Sequence, residues 1–183
     1  MTRPAATPGQ TIGPFFGYAL PFDRGDELVP PGSPGAIRLH GTVTDGGGQP
    51  VPDALLEIWQ ADADGTVPTI PTALRRDRRS FTGWGRAPTD TEGRYSFTTV
   101  KPGVPQNSTP FVAVTVFARG LLNRLFTRAY LPGDLLHADR LLSSVPADRR
   151  HTLIAVPDEH GFRFDIRLQG ADETIFLRYR GRA

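Results

Sequence analysis

Twenty glycines and 18 prolines punctuate this chain of 183 residues, spread throughout it without a repeat. Long helices are poorly compatible with such spacing, because proline removes a helix donor and glycine raises the entropy cost of ordering. Short apolar runs lie between the breakers, which excludes collagen-like order and fits many short strands joined by turns. Ile37, Leu39, Gly41 and Val43 alternate with Arg38, His40, Thr42 and Thr44, the period of a half-buried strand. Asp45–Pro50 (DGGGQP) supplies a turn, and Ala54–Gln60 reads as the next strand. Tyr95, Phe97 and Thr99 mark another, stopped by Lys101-Pro102-Gly103. Phe111–Ala118 (FVAVTVFA) carries β-branched and aromatic residues on both phases, which predicts burial of both faces. Leu125–Leu131, His151–Val156, Phe162–Leu168 and Glu173–Arg180 are further strands, and Leu135–Leu142 is expected to be a short surface helix capped by Asp134. The sum predicts an all-β chain: a single β-sandwich domain over residues 36–183, with residues 1–35 as an extended N-terminal arm of the same domain.

Composition removes several function classes. The absence of cysteine excludes disulfide scaffolds, thiolate zinc sites, iron–sulfur clusters and cysteine nucleophiles. A net charge of +2 gives no support for nucleic-acid capture, and the one basic cluster, Arg75, Arg76, Arg78 and Arg79, reads as a solvated loop or subunit contact. No apolar run approaches the roughly 20 residues of a membrane span. Met1–Gly13 lacks the apolar stretch of a secretory leader, so a soluble cytoplasmic protein is expected. His40, His137, His151 and His160 form no HxH, HxxxH or HExxH pair and read as surface residues. No serine sits in a G-x-S-x-G setting, and neither a Walker loop nor a dinucleotide fingerprint is present.

Four longer stretches say more. Gln10–Phe16 (QTIGPFF), Gly41–Asp64 (GTVTDGGGQPVPDALLEIWQADAD), Asp90–Gly103 (DTEGRYSFTTVKPG) and Arg163–Gly170 (RFDIRLQG) occur in that order. Together they resemble the intradiol ring-cleaving dioxygenases over nearly the whole chain. The resemblance implies a β-sandwich and a non-haem Fe(III) held by two tyrosinates and two histidines. The corresponding positions here are Val67, Pro105, Phe111 and Ala113, so this chain is expected to bind no metal and to hold no catalytic residue. Such a pattern is similar to the family's alpha-type chains. It implies a homologous iron-binding beta subunit, a hetero-oligomer of alpha/beta pairs, and protocatechuate and O2 as substrates. By the same resemblance Thr11, Gly13 and Pro14 of the arm, and Arg119 of Phe117-Ala118-Arg119-Gly120, would line the substrate entrance. Phe15 departs from the tyrosine frequent at that position. Trp59 and Phe97 are expected in the core. The alternative is a non-catalytic, transthyretin-like binding module, which fits the strands and missing ligands but not the arm.

Overall fold

The first strand, β1 (Ala36–Thr44), turns Leu39, Gly41 and Val43 inward and its other phase toward solvent. The computed structural model describes residues 9–13, 15–69, 77, 80–104 and 109–179. After β1 come β2 (Leu55–Trp59), β3 (Trp84–Pro88), β4 (Arg94–Val100), β5 (Phe111–Phe117), β6 (Leu125–Tyr130), β7 (Val156–Asp158), β8 (Gly161–Arg163) and β9 (Ile166–Arg167). They form two sheets, one ordered β4-β1-β8-β7 with β9 also on β1, the other β3-β2-β5-β6. Leu39, Val43, Phe97, Phe164 and Ile166 from the first face Leu56, Ile58, Val112, Val114 and Val116 from the second across one core. Among the described residues helix is confined to α1 (Phe16–Ala19), α2 (Arg140–Ser144) and two 3-10 turns, Asp134–Ala138 and Ala147–Leu153.

A buried glutamine ties the sheets together. Gln60, just past β2, donates from Nε2 to the Val100 carbonyl at 2.9 Å and to the Ala61 carbonyl at 3.1 Å. Its Oε1 accepts the Thr99 hydroxyl at 2.8 Å. A buried amide is tolerated only when its donors and acceptor are matched, and here they are. Two residues on, the Asp62 carbonyl accepts the Gly103 N–H at 2.7 Å. A Cβ on Gly103 would collide with the Ala63 carbonyl and the Gly65 nitrogen, so only glycine permits this approach. The Trp59-Gln60-Ala61 and Lys101-Pro102-Gly103 stretches are therefore two halves of one clasp.

Several sequence expectations change. The Phe162–Leu168 strand is split into β8 and β9, with Phe164 and Asp165 between them. Phe164 N–H donates to the His40 carbonyl at 2.7 Å, and Asp165 Oδ1 accepts the Thr42 N–H at 3.0 Å, so a side chain replaces a carbonyl in the ladder. Gly41 makes the break possible, since a Cβ there would strike the Phe164 carbonyl. That carbonyl accepts the hydroxyl of Tyr95, the residue paired with Gly41 across β1 and β4.

His151–Val156 is not one strand: residues to Leu153 belong to a 3-10 turn, Ile154 makes an isolated parallel bridge to Tyr130, and β7 starts at Val156. The Leu135–Leu142 helix is two pieces, and the side-chain cap is Asp139, accepting from Leu142 N–H, rather than Asp134. β5 buries one face and half-buries the other, against the expectation of two buried faces. Trp59 is exposed, because β2 turns Leu56 and Ile58 inward and Trp59 out, while Phe97 is core. β3 was not expected. Its inward residues are Gly85 and Ala87, and the space above Gly85 is filled by the Leu28 side chain and the Phe97 ring.

Because Gln60 makes three hydrogen bonds from a buried position, Gln60→Ala is expected to destabilise the chain by about 2–4 kcal/mol. A fall in the urea midpoint with an unchanged slope is the measurement that checks it.

Candidate functional site

The arm meets the segment after β5. Gly120 N–H donates to Thr11 Oγ1 at 2.8 Å. Gln10 and Ile12 then lie against Phe117, Ala118, Leu121 and Leu122 around a cleft of about 190 Å3. Gly120 turns this segment with φ of 85°, and a Cβ there would meet nothing, so the glycine serves backbone conformation alone. Arg119, beside it, pairs through Nε with Asp53 Oδ2 of the β1–β2 connection, its side chain 58% exposed. One edge of the guanidinium is fixed and the rest faces outward. Gly13 is exposed, its carbonyl accepts Phe16 N–H at 3.3 Å, and a Cβ on it would meet nothing within 4 Å among the described residues. Pro14 lies outside the described residues, as do Pro105 and Arg75, Arg76, Arg78 and Arg79. The structure thus joins Thr11 to Arg119 through Gly120, and adds Asp53. No motif marks Asp53, since its partner is remote in sequence.

The described ligand positions come from two places. Val67, 50% exposed, follows a turn in which Asp62 Oδ1 accepts Thr66 N–H at 2.8 Å. Phe111 and Ala113 lie on the half-buried phase of β5. Ala113 pairs with Trp59 on one side and Arg128 on the other. The Arg128 guanidinium carbon lies 3.8 Å from the centroid of the Phe111 ring. Arg128 Nη1 donates to Tyr130 Oη at 3.2 Å, and Tyr130 Oη donates to Asp139 Oδ1 at 3.0 Å.

Neither tyrosine in the interior is arranged as a phenolate. Burial pushes the Tyr130 phenol up to about 12, against the lowering influence of Arg128. Burial also holds the Tyr95 phenol well above its ordinary 10.0, with Asp165 adding to the effect. Tyr18 and Tyr179 are exposed. His40 Nε2 contacts Asp158 Oδ1 at 3.2 Å, an ion pair when the ring is protonated, and His137, His151 and His160 are exposed. Among the described residues no three His, Cys, Asp or Glu side chains gather as a metal site.

Comparison with known proteins names the class. Residues 12–170 match the family described as Dioxygenase, and the chain belongs to that family, in its intradiol ring-cleaving group. It is 39% identical to the protocatechuate 3,4-dioxygenase alpha chain of Burkholderia cepacia, over 97% of this chain and 99% of that one. To the beta chain of the same enzyme in that organism it is 36% identical, over 78% of this chain and 68% of the other. Among solved structures it is similar to the dioxygenase domain of a dioxygenase carbohydrate-binding protein fusion from Streptomyces sp. SirexAA-E. There the TM-score is 0.61 at 25% identity, covering 92% of this chain and 98% of that one.

The family is generally Fe(III)-dependent. The residues present here do not fit such an ion: Val67, Phe111 and Ala113 offer it no lone pair, and a fixed guanidinium stands over Phe111. A cation held in that place repels another, and burial of both would be costly.

Thr11→Val removes the acceptor that holds Gly120. Exchange of the Gly120 amide hydrogen is expected to quicken roughly five- to tenfold, with core amides unchanged, as read by hydrogen–deuterium exchange.

Proposed function

We propose that this chain is the iron-free alpha subunit of a protocatechuate 3,4-dioxygenase, paired with a homologous beta subunit that holds Fe(III). The enzyme would open protocatechuate between its two hydroxyl-bearing carbons, both atoms of O2 entering the product, 3-carboxy-cis,cis-muconate. The observation that carries this reading is a full-length likeness to an alpha chain combined with Val67, Phe111 and Ala113 at the ligand positions. The ferric ion of the beta subunit supplies the oxygen chemistry, and this chain supplies surface and charge. The reaction would serve cytoplasmic breakdown of aromatic compounds through the β-ketoadipate route.

In this reading Thr11, Gly13 and Pro14 form a wall of the substrate entrance, and Arg119 receives the carboxylate of protocatechuate. Gly13 supports the first part, because nothing among the described residues requires the missing side chain there. Asp53 supports the second. By holding Arg119 Nε it orients the guanidinium and leaves the Nη groups free to meet a carboxylate. Asp53 is then a positioning residue. Phe15 and Tyr18, 76% and 87% exposed, give the arm an apolar outer surface that suits a protein partner.

Iron content and visible absorbance test the reading. The chain purified alone is expected to be colourless and iron-free, and the complex with a beta chain carrying the two tyrosines and an H-x-H to be burgundy and iron-loaded. Stoichiometric iron with tyrosinate absorption in the chain alone would overturn it. In the assembled enzyme, Arg119→Ala is expected to raise KM for protocatechuate about tenfold, with a smaller effect on catechol, which lacks the carboxylate. Equal effects on the two substrates would remove the carboxylate contact.

A further inference from the structure

The guanidinium of Arg86 joins three parts of the chain that lie far apart in sequence. β3 turns Gly85 and Ala87 inward, so Arg86 stands on the outward face of its sheet. Its Nε donates to Glu57 Oε1 of β2 at 2.9 Å, and Nη2 donates to the same oxygen. The two side chains are only 16% and 23% exposed, so salt screens the pair weakly. With two nitrogens engaged, the planar group has one direction left for Nη1, and that donor meets the Leu20 carbonyl at 2.8 Å. The guanidinium carbon lies 5.1 Å from the centroid of the Trp84 ring, which is itself stacked on Phe22, two residues beyond Leu20.

The opposite end of this stretch is held on the far side of β2. Thr11 Oγ1 accepts from Gly120, and Gln10 and Ile12 lie against Phe117 at the end of β5. Phe117 and Arg86 both belong to the outward phases of their strands, and β2 runs between β5 and β3. Residues 11–20 therefore cross the outward face over β2. Burial agrees with that course. Leu55 shares its phase with Glu57 and Trp59 and pairs with Phe117, yet it is fully buried, whereas Trp59 at the other end of the strand is exposed. The two moorings differ in strength. Thr11 rests on a neutral hydrogen bond, while Leu20 accepts from a cation, an interaction roughly twice as strong.

We infer that Arg86 is a positioning residue for the substrate entrance: anchored by Glu57, it sets the course of residues 11–20 through Leu20, and with it the place of Thr11 and Gly13. The entrance itself rests on the subunit reading proposed above, whereas the tether belongs to this chain alone. Arginine is required for the part, since a lysine would keep the charge beside Glu57 but has no rigid third donor. Arg86 acts on the wall that substrate meets and not on the oxygen chemistry.

The tether is tested on the full chain by hydrogen–deuterium exchange, and the entrance by steady-state kinetics of its complex with a beta chain. In Arg86→Gln the Gly120 amide, which reports on Thr11, is expected to exchange about fivefold faster, with core amides unchanged. Arg86→Lys is expected to behave like Arg86→Gln, because the charge is kept and the fixed donor is lost. In the complex Arg86→Gln is expected to raise KM for protocatechuate about fivefold, with kcat and iron content unchanged. Glu57→Gln releases the anchor and is expected to move both readouts the same way; it decides if Arg86→Gln does not fold. Unaltered Gly120 exchange in Arg86→Gln, or full restoration by lysine, would overturn the tether. An unaltered KM, or a fall in kcat alone, in a complex whose unsubstituted form is active would overturn the positioning role. An unsubstituted complex without iron or activity would instead count against the subunit reading, and the tether would still be decided by exchange.

Discussion

The clasp between the ends of β2 and β4 is the constraint on which the rest depends. Gln60 hydrogen-bonds simultaneously into the continuation of the second sheet and the last residues of β4 in the first. The Asp62–Gly103 hydrogen bond then fixes the two loops that leave the clasp, one leading to Val67 and the other toward position 105. The clasp stabilises the sandwich whatever stands at the tips of these loops.

The outward face of β5 and β6 shows how a half-buried sheet face is filled. Gaps in such a face cost dispersion energy. Phe111 supplies volume, Ala113 leaves room, and Arg128 lies across both. The fixed charge on this face is thereby positive. At the other end of β5 a neutral hydroxyl ties down the arm and a surface ion pair holds Arg119, contacts that position residues without dominating stability.

Much of the fold was legible in the sequence, and the parts that were not have identifiable causes. Ile37–Thr44 and Tyr95–Val100 announce themselves by strict alternation, and both are strands. β3 is concealed because its inward positions are Gly85 and Ala87, too small to mark a period, and because Pro88 discourages a strand except at a sheet edge, where β3 lies. The break after β8 depends on Gly41, more than a hundred residues away in the chain, so alternation alone ran straight through it. His151–Val156 has strand-like composition, yet its residues to Leu153 close a 3-10 turn. Trp59 was misplaced for a simpler reason: hydrophobicity suggested the interior, and the strand's phase put it outside. Asp53, Arg128 and Asp139 acquire meaning only through partners that strand register and chain return bring to them.

Within the arm, Thr11 is held by Gly120 and Leu20 by Arg86, whose Nη1 donates to the Leu20 carbonyl at 2.8 Å. Between these moorings Phe16 is buried while Phe15 and Tyr18 stand in solvent. A stretch closed at both ends has already surrendered most of its chain entropy. A second protein that covers those two rings therefore meets a shaped surface and need not fold a strand of chain upon itself. The ordering cost that slows coupled folding and binding has been met within the monomer. The same economy makes recognition selective, because a surface held in one shape rejects a contour that does not match it.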